Sequence, residues 1–267
     1  MRLIAVPTAV CTIAVLGVHA SCSSQTETPD PAVIMTGPAP AMTTAEPLPE
    51  PAVGQALRVG GADVAPVAAE QATYKEDGSS FTRYRSGRHV VDTPLPDGYP
   101  PPTPPGAIEL KRYPVVRRAE VSRKDDPDGA LFGMVGGKNA GFWPLFRHIQ
   151  KRNIAMTAPV ETDMPGSDDS ADDAWRMAFL YRSPDLGPEG QAERGVVVKD
   201  APEVTVLALG VSGKSGQSAA DQSLKSLRAW LAAHPDWKQA GPARVLNYND
   251  PFTNPNWSEV QIVVERQ

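Results

Sequence analysis

Proline most limits what this chain can fold into, and about half of its 28 prolines fall before Gly106. A proline lacks the backbone N–H and fixes φ, so a proline-dense stretch cannot lie inside a helix or a central strand. Residues 23–69 add Ala, Thr and Glu to those prolines but few large apolar side chains. Such a stretch cannot bury enough surface to offset the entropy of ordering it. The run Pro100-Pro101-Pro102-Thr103-Pro104-Pro105 reads as a stiff polyproline II spacer. Residues 22–105 are therefore expected to form a disordered tether. One exception is open: Phe81, Tyr84, Val90 and Val91 could make residues 74–91 a short arm packed on the domain. The foldable part is residues 106–267, a single domain large enough for a real core.

The ends and the charge narrow the function. Cysteine occurs only at Cys11 and Cys22, which leaves the folded domain without a disulfide, a thiolate nucleophile or a cysteine-bound zinc. Met1 and Arg2, an apolar stretch over residues 3–18 and the small residues Ala20-Ser21 have the layout of a signal peptide covering residues 1–21. Val18-His19-Ala20 fits a small-x-small cleavage site, whereas Ala20-Ser21-Cys22 resembles the end of a bacterial lipobox. The expectation is an exported cell-envelope protein anchored to the membrane by lipid on Cys22, with free secretion as the alternative. A net charge of -5 gives no basic stripe for nucleic acid.

Within the domain the hydrophobic period alternates between two and 3.6. Residues 108–122 read as a strand interrupted at Pro114, with Ile108 and Leu110 on one face. A glycine-rich turn (Gly133, Gly136, Gly137) and Asn139 lead into a helix over 140–152 carrying Phe142, Leu145, Phe146 and Ile149. Strands follow at 154–164 and 175–182, joined by an acidic loop. The order recurs: strand 203–212, helix 219–233 with Ala220, Leu224, Leu227 and Leu231 on one stripe, then strands 243–249 and 259–265. Two βαββ halves imply an α+β fold with an internal pseudo-repeat and a groove along the seam between the halves.

Chemical motifs are sparse. Gly213-Lys214-Ser215 ends like a phosphate-binding loop, but Ala208 stands where that motif needs glycine, so a strand-to-helix turn is expected. Asp168, Asp169, Asp172 and Asp173 lack the glycine and terminal glutamate of a calcium loop and read as a solvated hairpin. No nucleophile elbow or metalloprotease motif is present, and no enzyme is implied. His148 sits on the first helix beside Arg147, Lys151 and Arg152, a pattern that suits a haem ligand with basic partners for propionates. It equally suits an amphipathic helix with a solvated basic face. By the period of two, Trp175, Met177, Phe179 and Tyr181 share one face of a strand, either as core or as the lining of an aromatic groove.

The run Asn153-Ile154-Ala155-Met156-Thr157-Ala158-Pro159-Val160 closely resembles the I-x-M-T-x-P-V signature of the SOUL haem-binding proteins. Ile108-Glu109-Leu110-Lys111-Arg112-Tyr113-Pro114 resembles that family's opening strand and Gly141-Phe142-Trp143-Pro144-Leu145-Phe146 its first helix. Asn247-Tyr248-Asn249-Asp250-Pro251-Phe252 and Ser258-Glu259-Val260 resemble its closing strands. The resemblance implies a distorted β-barrel of two βαββ units with two flanking helices. It also implies non-covalent binding of haem or a related tetrapyrrole in a hydrophobic groove, without an enzymatic reaction. Candidate ligand contacts are His148 (the candidate iron ligand), Arg147, Lys151, Arg152, Met156, Trp175, Met177, Phe179, Tyr181 and Glu259. The alternative is a carrier or sensor of another small hydrophobic molecule. A fold-level likeness to gyrase-inhibitor-like effector domains would give Glu259 the ligand contact in that case.

Overall fold

A computed structural model describes residues 47–74, 78–122, 141–164, 176–193, 195–213, 217–250 and 252–267. The expected signal peptide, Cys22, the glycine-rich turn, the acidic loop, Lys214, Ser215 and Trp175 lie outside the described residues.

The chain forms a mixed α+β fold in which one large antiparallel sheet carries two helices. Its strands are β1 (Ala56–Gly61), β5 (Ala107–Tyr113), β6 (Val116–Ser122), β7 (Val160–Asp163), β8 (Arg176–Leu180), β9 (Gly190–Gln191), β10 (Val197–Ala201), β11 (Val204–Ser212), β12 (Trp237–Asn247) and β13 (Trp257–Arg266). Across the sheet they run β1-β5-β11-β13-β12-β7-β8-β6-β10-β9. The two end strands do not pair with each other, so the sheet is open and the expected barrel is not closed. A second, three-stranded sheet is built from β2 (Ala68–Thr73), β3 (Ser80–Ser86) and β4 (His89–Val91). The stretch read as one strand over 108–122 is two: Pro114, which cannot donate to a ladder, separates β5 from β6, and they pair with different neighbours.

Helices α1 (Phe142–Lys151) and α2 (Gln217–Ala233) both cover one face of the sheet. Under α2, Ala220, Leu224, Leu227 and Trp230 pack on Ile108, Leu110, Leu207, Val260 and Ile262. Under α1, Leu145 and Ile149 pack on Ala119, Val121, Met177, Phe179 and Val198. α1 ends in a left-handed residue, Asn153 at φ 53, with Ile154 N–H donating to the Ile149 carbonyl and Asn153 N–H to that of Gln150. This closure satisfies two carbonyls that a helix end leaves open. It turns the chain sharply into the Ile154-Ala155-Met156-Thr157 run, which is not a strand until Val160. Ile154 and Met156 therefore join the α1 cluster, while Ala158 belongs to the opposite face.

The opposite face departs most from expectation. Val91, Leu95 and Tyr99 pack there with Tyr113, Leu180, Val206, Leu246 and Trp257. Residues 91–105 cross it as a strap that turns once, at Pro96–Tyr99, and in which Pro94, Pro96, Pro100, Pro102 and Pro104 are buried. From residue 47 onward the expected tether is thus incorporated in the fold: β1 extends the main sheet beside β5, and the proline run is a packed cover instead of a solvated spacer. Its apolar rings, unlike a Glu- or Ser-rich tether, have surface to bury, and a fixed φ means little backbone freedom is lost.

Candidate functional site

The face under the strap carries a buried ionic network. Lys111 on β5 and Glu259 on β13 are both fully buried and 2.7 Å apart. Glu259 Oε1 also accepts from the backbone N–H of Thr103 (2.6 Å) and from Tyr248 Oη (2.8 Å), and its Oε2 accepts from Gln261 Nε2 (2.6 Å). Lys111 Nζ donates in addition to the Pro101 carbonyl (2.6 Å), and Gln261 Nε2 to Tyr113 Oη (2.8 Å). Burial alone would raise the Glu259 pKa, but the adjacent Lys111 charge and these donors outweigh it and hold the carboxylate below its ordinary range. Further along the face, Glu161 accepts from both Arg244 (3.1 Å) and Arg118 (3.0 Å), and Arg118 also pairs with Glu120. Tyr99 of the strap leans edge-on against Tyr113, ring centroids 4.7 Å apart.

Glu259 was one of the candidate ligand contacts, and the one named for the effector-like alternative. Instead it meets its own chain.

The helix face holds the other candidates. His148, which the sequence placed at the flank of the apolar stripe near Arg147, Lys151 and Arg152, lies on the buried stripe itself with Leu145 and Ile149. Its Nε2 is hydrogen-bonded to Tyr181 Oη at 2.7 Å and its Nδ1 to the Glu193 carboxylate. Both ring nitrogens are thereby engaged inside the protein. The environment of Glu193 is mixed: partial burial opposes ionisation, but hydrogen bonds from His148, its own backbone and Lys151 bring its pKa down to about 2. Lys151 and Arg152 both approach that carboxylate, at 3.3 and 3.9 Å. Arg147 is exposed and has no ion-pair partner among the described residues.

Met177, Phe179 and Tyr181 are core beneath α1, so the aromatic face read as a possible groove is the helix's packing surface. What remains accessible is a patch beside it. Trp143 is 47% exposed and meets the half-buried Phe142 and Phe146 edge-on; Met156 and Val160 are half-buried against the same cluster. Phe142 stacks on Phe146 at 5.6 Å and meets Phe179 edge-on at 5.2 Å. Of the expected contacts, Met156 is half-buried against the α1 cluster, Arg147 is exposed on α1, Lys151 and Arg152 meet Glu193, and the others that are described are buried. Trp143 escaped notice because it lies off the apolar stripe. Lys111 and Gln261 were not singled out either, although each alternates with an apolar neighbour, Leu110 and Val260, and so faces the other side of the sheet.

Among the described residues no group of three or more His, Cys, Asp or Glu could hold a metal ion, and no helix is long and apolar enough to cross a membrane. One open antiparallel sheet with both helices on a single face defines the class, an α+β domain. Within it, the chain belongs to the SOUL heme-binding protein family, whose family model it matches over residues 100–263. No curated protein matches it by sequence. Among solved structures it is similar to the EcmrR C-terminal domain, at 12% identity and TM-score 0.43, covering 60% of this chain and 98% of that one. It is also similar to a hydrolase from Listeria innocua, at 15% identity and TM-score 0.39, covering 58% and 91%. A third likeness is to SAV2435 bound to tetraphenylphosphonium, at 8% identity and TM-score 0.35, covering 59% and 93%.

Proposed function

We propose that the domain binds haem or a related tetrapyrrole non-covalently, against the exposed flank of α1, and catalyses no reaction on it. Membership in the family supplies the ligand class. The observation that carries the site is the partly exposed aromatic surface of Phe142, Trp143 and Phe146, with Met156 and Val160 half-buried in the same cluster and the exposed Arg147 one turn beyond Trp143. An accessible aromatic surface of this kind favours a flat apolar ring system, and an adjacent guanidinium favours a ligand with carboxylates at its rim. Binding by burial at about 25 cal/mol per Å² needs no axial ligand. The engagement of both His148 nitrogens supports that mode. The absence of catalysis rests on Glu259, the one acid or base the sequence offered, being sealed against Lys111.

The mirrored strand orders β11-β13-β12 and β6-β8-β7, which meet through β12 and β7, support the proposal of two related halves. We also retain export, with lipid attachment at Cys22, as a proposal that rests on the N-terminal residues alone.

Titration with haemin and with metal-free protoporphyrin tests the ligand. Both should saturate at micromolar protein with similar affinity, Trp143→Ala and Phe146→Ala should each weaken both, and His148→Ala should leave the Soret maximum where it is. A titration without saturable binding of either compound removes the tetrapyrrole reading. It would leave the domain as a carrier or sensor of another hydrophobic molecule.

A further inference from the structure

We infer that the face of the sheet opposite the helices is a recognition site for a proline-rich segment in the polyproline II conformation, filled in this chain by its own residues 100–105. Four prolines flank Thr103 closely enough to hold the backbone extended, since each fixes its own φ and restricts the residue before it. A polyproline II backbone makes no internal hydrogen bonds and is ordinarily solvated. Here it is buried, and three of its polar groups are met by side chains of the sheet. The Pro101 carbonyl accepts from Lys111 Nζ (2.6 Å), the Thr103 carbonyl from Trp257 Nε1 (2.7 Å), and the Thr103 N–H donates to Glu259 (2.6 Å).

Thr103 N–H is the one backbone donor in the run from Pro100 to Pro105, and it points at the buried carboxylate. An indole donor, an aromatic wall and paired backbone contacts at alternate residues are the physical means by which proline-rich ligands are bound in grooves. Gly210 completes the fit: a Cβ there would overlap the carbonyl oxygens of Thr103 and Pro104. The Thr103 hydroxyl is buried without a partner, so the site reads the backbone at this position and not the hydroxyl. The ligand it takes is therefore an extended peptide of the pattern Pro-Pro-x-Pro, where x supplies an N–H.

Docked in cis, the strap competes at the high effective concentration of a tethered ligand. Weakening it should open the site to the same sequence in trans. Thr103→Pro removes the single N–H while keeping the run extended and the sheet untouched. A fluorescent peptide spanning residues 94–105 should bind full-length Thr103→Pro saturably, at least tenfold more tightly than it binds the unsubstituted chain. Binding should fall again when Trp257→Phe is added, and a peptide with its prolines replaced by alanine should not bind. The proposal is overturned if folded Thr103→Pro shows no saturable binding, or if the alanine peptide binds equally.

Hydrogen exchange in the unsubstituted protein tests the same point without a variant. The Thr103 amide should exchange at least tenfold faster than that of Ile262, through release of the strap alone. Exchange of both at one rate would mean the strap is not a separable ligand. The two sites lie on opposite faces, so haemin should not displace the peptide, and either site can fail without the other.

Discussion

The two faces of the sheet are built by different physics. Beneath the helices, apart from the His148 contacts with Tyr181 and Glu193, the packing is apolar, non-directional and spread over many side chains, so each residue matters by its volume. Beneath the strap an apolar cluster that includes Tyr113, Val206, Leu246 and Trp257 also encloses a few charged groups and backbone atoms whose value depends on every partner being present. A packed apolar face degrades gradually, whereas a buried ionic one fails at a single residue.

The sharpest test of that contrast is Lys111→Met. It leaves Glu259 buried and unpaired and should cost about 3–5 kcal/mol in urea unfolding. Lys111→Met combined with Glu259→Leu should recover much of the loss, because no lone charge remains. If the single variant loses under about 1 kcal/mol, the ionic face is not distinct from the apolar one. On the helical side, Leu227→Ala beneath α2 should cost about 2–5 kcal/mol, set by how far the cavity collapses. No partner substitution of the Glu259→Leu kind should rescue it.

Gly210→Ala sharpens the comparison at the strap itself. The new methyl meets the Thr103 and Pro104 carbonyls, so a loss of about 1–3 kcal/mol is expected, together with faster proteolysis within residues 91–105. Protection of the α2 amides should be unaffected. The smallest effect belongs to Glu193. Its folded pKa of about 2 lies below the ordinary carboxylate value, so its contribution is present above roughly pH 4.5 and is lost as pH falls toward 2. Glu193→Gln should lower stability slightly across the neutral range, where the contribution is present, and flatten the acid limb of the profile in that window, so that the two proteins converge as pH falls toward 2. A wild-type acid limb unaltered by the substitution would show that the His148 contact does not stabilise the fold.

The helical face was legible because period alone encodes it. Leu145 with Ile149, and Leu224 with Leu227, mark buried stripes whatever lies beneath them. The family motifs around Met156 and Glu259 were equally visible, and so was the α+β class. The strap face was not, because composition reports whether a segment can form its own core and says nothing of whether a neighbouring surface will accept it. Pro102 and Thr103 look like linker until Glu259, more than 150 residues away, supplies the acceptor. His148 misled for a related reason. Its burial depends on Tyr181 and Glu193, and no local pattern links the three.

The open sheet has one further consequence, for how molecules of this protein meet each other. An unclosed sheet exposes two rows of backbone donors and acceptors, and such edges invite strand addition by a neighbouring chain. On one side the row belongs to β1, whose pairing register slips between Arg58 and Gly60, a bulge that bends the edge out of line. On the other it belongs to β9, only two residues long. Neither offers the long, flat template that intermolecular β-assembly requires. Among the described residues, the irregularities at the sheet's margins thus act against strand addition between copies, a property unrelated to ligand binding on either face.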